Sequence, residues 1–105
     1  MPSPQQIERF TLAFHQVAVE RLRHQPVLRA QALEVLNRWE SNGASPGGKF
    51  YRDQWRNLLK GDIDMLWNAV CHDNELAATL RSMSPLGFLL PEEERLRIRR
   101  EAMAA

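Results

Sequence analysis

The chain opens on a helical rhythm. Ile7, Phe10, Phe14, Val17 and Ala18 recur at steps of three and four residues, while Glu8, Arg9, Gln16, Glu20, Arg21 and Arg23 fall mostly elsewhere. That spacing draws one apolar stripe and predicts a helix reaching about Leu22. Ser3-Pro4-Gln5-Gln6 marks its start. A capping hydroxyl, a proline at the first helical position and a glutamine three residues after the cap together form a capping box. His24-Gln25-Pro26 interrupts the stripe, because a proline pushes the residue before it away from helical angles and cannot donate to the preceding turn.

A second helix is predicted from about Pro26 to Trp39 or Glu40, with Leu28, Ala32, Val35 (next to Leu36) and Trp39 on one side. Arg29, Gln31, Glu34 and Arg38 are its solvated positions, and it is expected to pair with the first as a helical hairpin. Ser41 to Gly48 is then dense in residues that favour turns or loosen the backbone. Tyr51, Trp55, Leu58 and Leu59 resume the helical spacing, and Gly61 sits where a left-handed cap would end that third helix. Asp62 can cap a fourth helix that buries Ile63, Leu66, Trp67 and Val70. Asp73 or Asn74 can cap a fifth carrying Leu76, Ala77, Leu80 and Met83. Ser84-Pro85 stops it, and Leu86-Gly87-Phe88-Leu89-Leu90 is apolar but too short for a helix of its own. Pro91 and the acids Glu92, Glu93 and Glu94 open a last helix, in the turn where negative charge complements the helix dipole. Arg95, Arg97, Arg99 and Arg100 lie toward its end.

No segment alternates with a period of two over a useful length. The predicted fold is therefore all-α, a compact bundle of five to six short helices. With 105 residues the chain has room for one domain and one modest core. We expect a single helical domain over 1–105, with a flexible linker at about 41–49 between an N-terminal hairpin and the C-terminal helices.

Charge adds little. Fourteen Lys and Arg stand against 13 Asp and Glu, a net of +1, too small for strong long-range attraction to a phosphate backbone. The N-terminus has no basic flank and apolar run of a secretory signal, and no apolar stretch approaches the roughly 20 residues that span a bilayer. A lone Cys71 makes no internal disulfide, so the expectation is a cytoplasmic chain with a reduced thiol, away from membranes.

Candidate chemistry is sparse. Three glycines between Gly43 and Gly48 suggest a phosphate-cradling loop, but no strand precedes them. Gly48-Lys49 also lacks both the correctly placed first glycine and the Ser or Thr that would hold magnesium, so a plain linker is expected. Cys71-His72-Asp73 has the residue types of a nucleophile site, yet neighbours along a helix do not face one another. His15, His24 and His72 are too scattered for a metal motif. Asp62 and Asp64 read as a cap and a first-turn acid. No catalytic residue, metal or cofactor is assigned, and the chain is expected not to be an enzyme. Arg95, Arg97, Arg99 and Arg100 raise DNA binding as an alternative, weakened by the glutamates flanking the same helix and by the lack of a recognisable helix-turn-helix succession.

A core this small has many large apolar groups to absorb: Trp39, Trp55, Trp67, Phe10, Phe14, Phe50, Tyr51 and Phe88. Phe50 and Tyr51 are adjacent and cannot both face inward, and Phe88 sits between two prolines, so one or more is expected to anchor a partner, with the alternative that Leu86 and Phe88 fold back to close the bundle. From Trp55 onward the succession Trp55, Leu58, Leu59, Gly61, Leu66, Ala77, Leu80, Arg81, Ser84, Pro85, a hydrophobic pair around Gly87, Leu90, Glu94 and Arg95 resembles a known pattern. It is similar to the C-terminal region of small bacterial antitoxins encoded beside toxins of the nucleotidyltransferase or zeta-like kinase type. It also resembles the small helical chaperones that accompany zeta-toxin-like effectors in plant pathogens. The likeness covers the second half of the chain and is most specific over Leu80 to Phe88. Many such antitoxins carry a DNA-binding helix-turn-helix before this region; here an ordinary helical hairpin is expected in its place, which speaks against autoregulation of an operon. The resemblance implies an antitoxin or chaperone-like inhibitor that docks on a cognate toxin or effector and covers its active site. We expect the surface to combine Ser84, Pro85, Leu86 and Phe88 with Arg81, Arg95, Tyr51 and Trp55. Homodimerisation through the apolar surplus is the other association the sequence leaves open.

Overall fold

A computed structural model describes residues 2–104. The described residues form six α-helices and no strand: α1 (Pro4–His24), α2 (Leu28–Ser41), α3 (Lys49–Lys60), α4 (Ile63–Val70), α5 (Glu75–Ser82) and α6 (Glu92–Met103). Two 3-10 turns, Pro46–Gly48 and Leu86–Leu89, stand before α3 and α6. The all-α bundle expected from the periodicity is the fold.

Most of the predicted punctuation does what its chemistry dictates. The Ser3 hydroxyl accepts from the Gln6 amide at 3.2 Å while the Ser3 amide donates to Gln6 Oε1 at 2.8 Å, a closed capping box. Asp62 Oδ1 accepts from the Asp64 amide at 2.7 Å, and Asn74, rather than Asp73, caps α5 by accepting from the Ala77 amide at 2.9 Å. Gly61 differs from expectation. Its backbone is extended (φ −99°, ψ −159°), and the left-handed glycine is Gly43 (φ 82°), just beyond α2. Arg29 supplies what Gly61 does not, since its Nη1 donates to the Leu59 and Gly61 carbonyls at 3.3 and 2.7 Å and satisfies the end of α3 from α2.

Helix α1 is the spine. It packs against α4, α5, α6 and the Leu86–Leu89 turn, burying Phe14, His15, Ala18, Val19 and Leu22. The antiparallel pair in this bundle is α2 with α3. Arg29 at the start of α2 meets the end of α3, and Arg56 in α3 reaches back to Asn37 and Glu40 late in α2. Residues 41–48 are thus the loop of that pair, and their second half is ordered as the 3-10 turn ending on the buried Gly48. The reason is geometric: α1 presents buried positions around enough of its surface to need several partners, so α2 falls to α3. Trp55, Leu22, Leu36, Leu59, Leu66 and Leu86 are the large side chains at the centre of the core.

Candidate functional site

The residues singled out from the sequence separate into frame and surface. Trp55 is fully buried, with its indole Nε1 donating to the Leu80 carbonyl at 2.8 Å. Arg81, 4% exposed, donates through Nη1 to the Val70 and His72 carbonyls, both at 2.8 Å, and its Nη2 lies 3.5 Å from Glu8. It therefore ties α5 to the end of α4 and to α1. Pro85 and Leu86 are core residues. The half-buried Ser84 hydroxyl accepts from the Leu86 amide at 3.1 Å and fixes the turn that sends Leu86 inward. Arg95 donates to the Leu90 carbonyl at 3.2 Å and to that of Gly87, and its guanidinium sits 5.6 Å from the centre of the Phe14 ring. Four of the eight expected contact residues, Trp55, Arg81, Pro85 and Leu86, are spent inside this fold. Phe88 is 40% exposed, Arg95 is exposed, and Tyr51 is half-buried.

A different apolar surface emerges around Tyr51. Phe50, 61% exposed, sets its ring edge-on to Tyr51 with centroids 5.2 Å apart. With Gln54, Leu58, Ala69, Leu76 and Leu80 these two line a shallow groove of about 190 Å³ between α3, α4 and α5. Leu76, placed by the sequence among the residues of α5 alongside its buried positions, instead stands 66% exposed at the rim. Ala77, Leu80 and Arg81 are the residues α5 turns inward. The Phe50-Tyr51 pair was the available sequence signal; nothing in the spacing distinguishes Leu76 from its buried neighbours. A second, more charged surface groove runs between α1 and α6, lined by Phe10, Leu90, Glu92, Arg95, Leu96 and Arg99.

No family model matches this sequence, and searches of curated proteins and of solved structures found no match.

His15 and Cys71 are the titratable groups whose ionisation burial shifts most. Burial pushes the His15 imidazole down to about 4, against a hydrogen bond to the Thr11 carbonyl and with the Arg81 charge lowering it further. Nδ1 lies 2.7 Å from that carbonyl and so carries the proton, leaving Nε2 a bare, buried acceptor. Burial likewise pushes the Cys71 thiol up to about 12; Sγ donates to the His15 carbonyl at 3.5 Å. A thiol held protonated is a poor nucleophile. His72 Nε2 meets Asn68 at 3.4 Å, and among the described residues no group of three or more His, Cys, Asp or Glu is placed to hold a metal. Among the described residues no helix is long and apolar enough to cross a membrane.

Proposed function

We propose that this chain works by binding another protein, as the antitoxin or chaperone-like partner of a toxin or effector enzyme that handles nucleotides or phosphate, and that it neutralises that enzyme by covering its active site. The observation that carries the binding half of this reading is the groove rimmed by Phe50 and Leu76. Two large apolar side chains, each more than 60% exposed, flank one depression on a small protein. Exposed apolar groups clustered around a concavity, with an aromatic at the rim, are what interface anchors look like. The nature of the partner rests on the resemblance over Leu80 to Phe88.

The test is co-expression of the tagged chain with the products of its neighbouring genes, followed by a sizing column. A stable complex with a nucleotide-handling enzyme whose toxicity the chain suppresses supports the proposal, provided that Phe50→Asp with Leu76→Asp releases the enzyme while helical circular dichroism is retained. A lone monomer or homodimer that protects no cell overturns it. A DNA-binding regulator is the competing reading and gains little from the fold. The short helices α4 and α5 are joined by four residues, yet the exposed positions of α5 are Glu75, Leu76 and Ser82, with its one arginine buried. A salt-dependent shift of its own promoter fragment would support that reading.

A further inference from the structure

The two buried arginines among the described residues each have an unpartnered, sealed Nε, but they differ at the terminal nitrogens. Arg81 spends its guanidinium on two carbonyls and a carboxylate. Arg52, at 7% exposure, forms no side-chain hydrogen bond and no ion pair among the described residues; its Nε is sealed from solvent and unpartnered. Its two terminal nitrogens have no partner among the described residues and are not sealed, so a mostly enclosed guanidinium is left with donors that only an outside group can satisfy. From the first turns of α3, the side chain leans back toward the start of that helix, as helical side chains do. A Cβ built on Gly48 would meet Arg52 Nη1 at 2.7 Å and Met83 Cε at 2.9 Å. The guanidinium therefore lies against the start of α3, at the positive end of that helix's dipole, although the Gly48 and Lys49 amides themselves are bonded to the Ser45 and Pro46 carbonyls of the preceding turn. The capping residue there is Gly48, with no side chain to offer, and the first turn holds no acid; the nearest carboxylate, Asp53, feels the Arg52 charge but is bonded to Lys49 and Arg56. The other cation there, Lys49, is already paired with Asp53 at 2.6 Å.

We infer that the start of α3, roofed by Arg52, is a binding site for an oxyanion that presents two oxygens to the guanidinium, borne by a phosphate group or a carboxylate. Both put negative charge where the helix and Arg52 already supply positive charge, and a planar guanidinium matches a pair of oxygens. Glycine at 48 leaves room for the guanidinium to close over the helix end. This is not the nucleotide loop that Gly48-Lys49 superficially suggests, since no strand feeds it. The inference does not depend on the partner proposed above.

The experiment follows thermal unfolding of the full chain with increasing inorganic phosphate, and separately with acetate, at ionic strength held constant with sodium chloride. The expected result is a saturable rise of the midpoint, roughly 5–10 °C at about ten times the Kd, in at least one of the two series. Response to phosphate alone assigns a phosphate group; response to acetate assigns a carboxylate. Arg52→Met, which keeps the stem and removes the charge, should abolish the rise. Should that variant fail to fold, Arg52→Lys and Gly48→Ala, the latter displacing the guanidinium, are each expected to weaken binding of the responding anion at least tenfold by calorimetry. No shift in either series, or the same shift in the folded variants as in the parent chain, overturns the inference.

Discussion

At the scale of single residues, burial decides what each side chain can be used for. Leu86 and Phe88 are two apart, yet one is fully enclosed and the other 40% exposed. Leu86→Ala should cost about 2–5 kcal/mol in denaturant unfolding, the range for a core leucine, whereas Phe88→Ala should stay within about 1 kcal/mol. Equal costs would mean that the Leu86–Leu89 turn sits differently. His15 gives a pH dependence with a definite sign. Its folded pKa of about 4 lies below the ordinary 6.5, so the unfolded chain takes up the proton first. Stability from this group is whole above about pH 6.5 and falls as pH drops toward 4, by about 3 kcal/mol in all. Glu8 and Arg81 lie in the same neighbourhood, the latter adding positive charge that opposes protonation. His15→Phe should flatten the stability profile between pH 6.5 and 4; a profile as steep as the parent's would assign the acid sensitivity elsewhere.

At the scale of helices, the chain's local signals were readable and its pairings were not. Ser3, Asp62 and Asn74 cap helices because a short polar side chain before an apolar run has a backbone amide within reach, a relation confined to three or four residues. Asn74→Ala should therefore cost about 1 kcal/mol and fray α5 first. Which helix lies beside which depends on contacts between distant residues, and here arginines tie the resulting pairs together. Arg29 ties α2 to the end of α3, and Arg21 ties α1 to α6. Arg21 meets both Glu94 oxygens, at 2.9 and 2.8 Å, and the Leu89 carbonyl at 3.0 Å. The paired guanidinium holds the Glu94 carboxyl below its usual range. Because both partners are about a quarter exposed, solvent screening leaves Arg21→Met a modest loss, about 1 kcal/mol. Proteolysis at α6 should quicken in that variant if the pair anchors the helix. The candidate surface was legible only in part: adjacent Phe50 and Tyr51 announced that one ring must turn outward, but whether Trp55, Arg81 and Leu86 face a partner or the core is a tertiary fact. The residues that carry the family resemblance, Trp55, Leu80, Arg81, Pro85 and Leu86, are mostly frame.

At the scale of the whole molecule, α1 is enclosed by three helices and a turn while α2 has α3 as its principal neighbour. Native-state hydrogen exchange should accordingly find the middle of α1 among the slowest amides and α2 opening at lower free energy, with α1 exchanging first as the contrary result. The single cysteine sits at the seam of this arrangement. Cys71, 2% exposed at the end of α4, is bonded to the backbone of α1, so a thiol reagent can reach it only when spine and wall part. The protein thus contains its own stopwatch. The labelling rate of that sulfur counts how often the two helices separate, and a bound protein that slows the count would be clamping the bundle from outside without ever touching the thiol.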